Sequence, residues 1–171
     1  MAKAVICIAK SEEQATRIVD DLKAAGFSNN DVSVLLPDRA GSRDFAHEHH
    51  TKAPEGAATG AVAGGVTAGV LGWLVGIGSL AIPGVGPLIA AGPIMAALGG
   101  VAAGGAVGGL AGALVGFGIP EYEAKQYEGK IKNGNIMISV HTDDSRQRKI
   151  AKEIFDNDHA TDVASTGEAR V

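Results

Sequence analysis

The chain of 171 residues has one cysteine, and only 4% of its residues are aromatic. A single thiol excludes an internal disulfide. The setting of Cys7 in the apolar run AVICIA makes it a small buried hydrophobe rather than a nucleophile. There is no excess of positive charge: the formal net charge is −4, the wrong sign for a nucleic-acid surface, so no nucleic-acid partner is expected. The most informative absence is local. From Gly56 to Pro120, a span of 65 residues, there is no Asp, Glu, Lys, Arg or His, so all 34 charged residues lie in the flanks. That block also holds 20 of the 25 glycines. Two surroundings are implied, water for the flanks and something less polar for the block.

Conventional signals mark the flanks. KAVICIA (3–9) reads as a strand buried on both sides, and Ser11 with Gln14 makes a capping box that opens a helix carrying Ala15, Ile18, Val19, Leu22 and Ala25 on one face. Gly26 ends that helix, and VSVLLP (32–37) follows as a strand. After the block, Pro120 starts the helix EYEAKQYEGKIKNG, which Asn133-Gly134 closes. NIMISVHT (135–142) is a strand with Ile136, Ile138 and Val140 on one face. Asp143, Asp144 and Ser145 cap a helix running to about Asp158, with Ile150, Ala151, Ile154 and Phe155 at helical spacing, and TDVAST is a last strand. The order predicts an α+β fold: a ferredoxin-like (split βαβ) sandwich, its antiparallel sheet covered by helices on one face, interrupted by a long insertion. Residues 1–54 and 120–171 are the two halves of this α/β domain, and residues 55–119 are the insertion.

Inside the insertion, small residues keep a register of four: Gly56, Gly60, Gly64, Ala68, Gly72 and Gly76, then Gly92, Ala96, Gly100, Gly104, Gly108, Gly112 and Gly116. On a helix this spacing makes a shallow groove that lets a second helix approach closely. Pro83, Pro87 and Pro93 break the block, predicting a glycine-zipper helical hairpin with arms of about 56–82 and 94–118. At 1.5 Å per residue the arms would be about 40 and 37 Å long, enough to cross a hydrocarbon layer of about 30 Å. Leu88, Ile89, Ile94, Met95, Leu98, Leu110, Leu114 and Val115 are among the aliphatics then available to face acyl chains. Arg39, Arg43, Lys52, Lys125, Lys130 and Lys132 flank the block, and its 82–93 turn has no cation, an arrangement that places both termini in the cytoplasm. Tyr122 and Tyr127 stand where interfacial tyrosines are found. The expected helix-helix packing residues are Gly56, Gly60, Gly64, Gly72, Gly76, Gly100, Gly104, Gly108, Gly112 and Gly116, and the expected partners are membrane lipid and further copies of the chain.

Chemistry is poorly represented. His47, His49 and His50 with Glu48 are the one metal-like cluster, but adjacent histidines on a short segment seldom converge on one ion, so no metal is expected. The glycine runs lack the lysine of a phosphate loop and the acidic residue of a dinucleotide fingerprint, so no nucleotide cofactor is expected either. Glu12/Glu13 and Asp143/Asp144 sit at helix starts, where the helix dipole accounts for them. With no nucleophile, base and orienting partner in evidence, and no small-molecule substrate indicated, the sequence does not describe an enzyme. The alternative is a soluble oligomeric sensor or regulatory module, cytoplasmic, whose α/β domain binds a small ligand or protein.

The segments AVICIAKSEEQATRIVDDLKAAGFSNNDVSVLLPD, TKAPEGAATGA and GIPEYEAKQYEGKIKNGNIMISVHTDD resemble the bacterial heat-induced general stress proteins of the YflT-like class over nearly the whole chain. In layout alone the chain is similar to the small membrane subunit of the bacterial alternative quinol-oxidising complex, which carries a two-helix membrane insertion. The resemblance implies a bacterial, stress-associated, non-enzymatic protein with no catalytic residues to transfer.

Overall fold

A computed structural model of the chain describes residues 3–37, 78–82, 85–95, 98 and 109–167. The elements run β1 (Lys3–Ala9), α1 (Glu12–Ala24), β2 (Val32–Pro37), β3 (Gly78–Ile82), β4 (Gly86–Ala91), α2 (Gly109–Gly116), α3 (Glu121–Lys132), β5 (Ile136–Thr142), α4 (Ser145–Asn157) and β6 (Thr161–Gly167). The fold class is α+β. The six strands form one sheet in the order β3-β4-β2-β5-β1-β6, and every neighbouring pair is antiparallel.

Local chemistry accounts for the flank elements. The Ser11 hydroxyl accepts from the Gln14 N–H at the start of α1, while Gln14 Oε1 accepts from Lys10 N–H at 2.7 Å, one residue outside the usual reciprocal pair. Gly26 then turns the chain out of α1 at φ +93°, a conformation that costs glycine little. Asp144 caps α4 by accepting from Gln147 N–H at 2.7 Å. Pro120 is the residue before α3 rather than its first helical position.

Alternation along the strands divides the interior in two. Val5, Cys7, Ala9, Val34, Ile138 and Val140 point to a first face, which α1 and α4 cover with Ile18, Leu22, Ala151 and Phe155. Ala4, Ile6, Ile8, Leu35 and Met137 point to the second, covered by α2 and α3 with Leu110, Leu114, Ala124, Tyr127 and Ile131. The expectation of helices on one face is therefore corrected. Once α3 carries Ala124, Tyr127 and Ile131 at helical spacing, it has its own apolar stripe to bury, and only the second face remains free.

The layout within the insertion also changes. Residues 78–82, assigned by periodicity to the first helical arm, are strand β3, and residues 86–91, assigned to the turn, are strand β4, which pairs with β2 from Val34↔Ala91 to Pro37↔Leu88. The uncharged block thus extends the sheet of the charged flank. Gly92, counted in the four-residue register, serves this junction instead: at φ +85° a Cβ there would lie 2.2 Å from the Val32 carbonyl oxygen. Immediately beyond, Ile94 N–H donates to the buried Ser33 hydroxyl at 3.1 Å. Nor is 94–118 one continuous helix, because Gly109 sits at φ +59° and α2 begins there.

Candidate functional site

The place where the uncharged block meets charge is the packing of α2 on α3. Helix α2, GLAGALVG, has no charged residue of its own, and it is apolar enough that no sided pattern identifies its inner face in advance. Packing settles the orientation. Leu110 and Leu114, four apart, are wholly buried with Ala111 and Ala113 against α3 and the second face of the sheet. Gly112, Val115 and Gly116 are left on the exposed side, and nothing stands within 4 Å of where a Cβ on Gly116 would be.

A carboxylate from α3 holds the first turn of α2. Ala111 N–H, one of the donors that a helix start leaves without an internal acceptor, donates to Glu128 Oε2 at 2.6 Å, while Lys132 Nζ donates to Glu128 Oε1 at 2.7 Å. Burial pushes the pKa of this carboxyl up. The bonds from Lys132 and Ala111, with the lysine charge, outweigh burial and hold it below the usual carboxylate range. Glu128 is therefore ionised in neutral solution, and its charge faces the positive end of the α2 dipole.

A second clasp fastens α3 to the edge strand. The hydroxyl of Tyr127 donates to the Asp162 carbonyl at 3.0 Å, and Lys130 pairs with the Asp162 carboxylate. Asp162 adopts φ +54° at the irregularity where the β1–β6 register shifts, a conformation uncommon outside glycine. Burial pushes its pKa up, but bonds from Lys130 and Thr161 win and hold it below the ordinary value. The Thr166 hydroxyl, bonded to the Gly118 carbonyl, ties the same strand to the segment between α2 and α3.

Of the ten glycines expected to pack helices, Gly112 and Gly116 lie on the exposed side of α2; Gly56, Gly60, Gly64, Gly72, Gly76, Gly100, Gly104 and Gly108 lie outside the described residues. The aliphatics expected to face lipid are placed differently. Leu88, Ile89, Ile94, Leu98, Leu110 and Leu114 are buried within the domain, and Val115 alone of the described set is exposed. Tyr127 is no interfacial anchor but a core residue, whereas Tyr122 is 75% exposed. His47, His49 and His50 lie outside the described residues. Among the described residues no group of three or more His, Cys, Asp or Glu could hold a metal, and no helix is long and apolar enough to cross a membrane. Cys7 is fully buried and burial drives its thiol pKa far up, so it is inert.

A cleft of about 450 Å³ opens where β1 enters α1, between Lys10, Ser11, Glu12 and Glu13 on one side and Leu36 and Pro37 on the other. Its central hydroxyl, on Ser11, is occupied in capping α1. The sequence reading missed Glu128, Lys130 and Asp162. Glu128 and Lys132 are legible only as an i,i+4 surface pair, since no local pattern joins a carboxylate to a helix start 17 residues earlier. Comparison of the chain with protein-family models, with curated proteins and with solved structures gives no match.

Proposed function

We propose that this is a non-enzymatic bacterial general stress protein whose uncharged, glycine-rich block associates with the cytoplasmic membrane and with other copies of the chain, both termini on the cytoplasmic side. The α/β part is its soluble frame, a split βαβ unit of the ferredoxin-like kind. Support for that frame comes from the order β2-β5-β1-β6 of the flank strands and from α1 and α4 sharing one face. The stress assignment rests on the resemblance of TKAPEGAATGA and GIPEYEAKQYE to heat-induced stress proteins.

One observation carries the assembly reading. Helix α2 turns its leucines inward and leaves Gly112 and Gly116 bare on the outside, a shallow small-residue face that a second helix can approach closely. The lipid reading is favoured by the 65-residue span without a charge. Replacing Gly112 and Gly116 together by leucine tests the first. The exchange raises helix propensity at two exposed positions, so the fold is retained while crosslinked oligomers diminish; oligomers of unchanged size would overturn the groove. Flotation of the full chain with phosphatidylcholine vesicles tests the second, and a chain that stays at the bottom of the gradient sinks it.

A further inference from the structure

We infer that Glu128 is the latch that holds the end of the uncharged block on the domain, and that its release governs how much of the block is given to lipid. The inference rests on the membrane reading above and names its regulation.

A ligand or solvent shifts a conformational balance only through interactions that differ between the two states. Leu110 and Leu114 are out of water in either place, but the second face they help to cover, Leu35, Tyr127 and Ile131 among it, loses that cover when α2 leaves, which favours the docked state in every variant alike. The backbone of α2 discriminates little, since its internal helical bonds survive in either place. The bond from Ala111 N–H to Glu128 does differ. It exists only when α2 lies on α3, it is charge-assisted, and Lys132 orients its acceptor. Its loss in lipid leaves an ionised carboxylate that cannot follow α2 into hydrocarbon. The positive φ of Gly109 changes the course of the backbone immediately before the latched turn. Glu128 acts here as a positioning residue, setting the docked fraction without touching lipid.

The test uses the full chain, with phosphatidylcholine vesicles as probe and wild type, Glu128→Ala, Glu128→Gln and Glu153→Ala side by side. Glu153→Ala removes the same charge from the exposed side of α4, where its partner is Lys149. A charge-assisted bond corresponds to roughly a tenfold shift in a two-state balance. Vesicle partitioning should therefore rise about tenfold in Glu128→Ala, rise less in Glu128→Gln, which keeps a neutral acceptor, and not change in Glu153→Ala. Amide exchange at Ala111 without vesicles should accelerate in Glu128→Ala. Wild type that partitions while both Glu128 variants match it overturns the latch and spares the membrane reading. An equal rise in Glu153→Ala makes the effect one of net charge and also overturns the latch. If none of the four partitions, the membrane reading itself fails and the latch falls with it. Should Glu128→Ala fail to fold, Glu128→Gln must show the smaller rise together with faster Ala111 exchange, and its failure to do so is equally decisive.

Discussion

On the first face of the sheet the covering helices α1 and α4 come from the charged flanks, and each has a polar outer side, a side-chain cap and an apolar stripe. On the second face one helix, α3, has a polar outer side and an apolar stripe but no side-chain cap, while α2 comes from a segment without charges and takes a side-chain acceptor for its first turn from its neighbour. Both faces bury leucine-sized side chains completely. The difference lies in what fixes the helix in place. A helix with a polar side is oriented by water, whereas α2, apolar or small all round, is oriented only by what it packs on and by Glu128.

Truncating the core tests whether the two faces are equally committed. Phe155→Ala on the first face should cost about 3–5 kcal/mol and Leu114→Ala on the second about 2–5 kcal/mol, measured by urea unfolding. A cost below about 1 kcal/mol for Leu114→Ala would mean that α2 undocks without unfolding the domain, and the comparison would break. A smaller effect sharpens the role of α3. Tyr127→Phe keeps the ring in the core but leaves the Asp162 carbonyl without its donor at a strained position, and should cost about 1–2 kcal/mol.

The smallest effect belongs to the seam between α1 and α4 on the first face. Burial and the nearby Asp21 carboxylate raise the pKa of Asp158, against the opposing pull of Arg17 and His159; its Oδ2 is buried without a hydrogen-bond partner, and Cys7 lies close on β1. A carboxyl raised in the folded state binds its proton more tightly there than in the unfolded chain. Its ionisation therefore costs no stability below the ordinary carboxylate value, costs progressively more as pH rises to the raised value, and a constant amount above it. Asp158→Asn should remove that slope and add on the order of 1 kcal/mol at pH 7, seen as thermal melts that diverge from wild type as pH rises. Curves that stay parallel would show that the seam is already relieved by Arg17.

The sequence shows the first face well because its information is local. Ser11, Gly26, Asp144 and the spacing of Ile18, Leu22, Ala151 and Phe155 each act within a few residues of where they stand. The second face depends on distant pairings. GSLAI and GPLIAA are short apolar runs that suit a strand or a buried helix equally; extending the register of Gly56 to Gly76 places the first in a helical arm, and Pro83, Pro87 and Pro93 place the second in a turn. Their brevity and the Pro83-Gly84 and Gly86-Pro87 punctuation were the available strand signals. The Glu128 contact had no local signature at all. It depends on how α2 folds back on α3, which the spacing of residues along either helix does not encode.

Strand β1 lies between β5 and β6, with Lys3 opposite both Thr142 and Gly167. Neither of its neighbours exists until the last quarter of the chain has been made. During synthesis the first strand therefore leaves the ribosome well before its partners; β4 of the uncharged block can pair with β2, which is made before it, whereas every pair that β1 makes waits on a closure of more than a hundred residues. Such long-range closure is slow, and exposed apolar chain is vulnerable in the interval. The order of the strands thus gives this protein a period in each molecule's life when β1 is free to meet a chaperone, a bilayer or another nascent chain before its own domain can claim it.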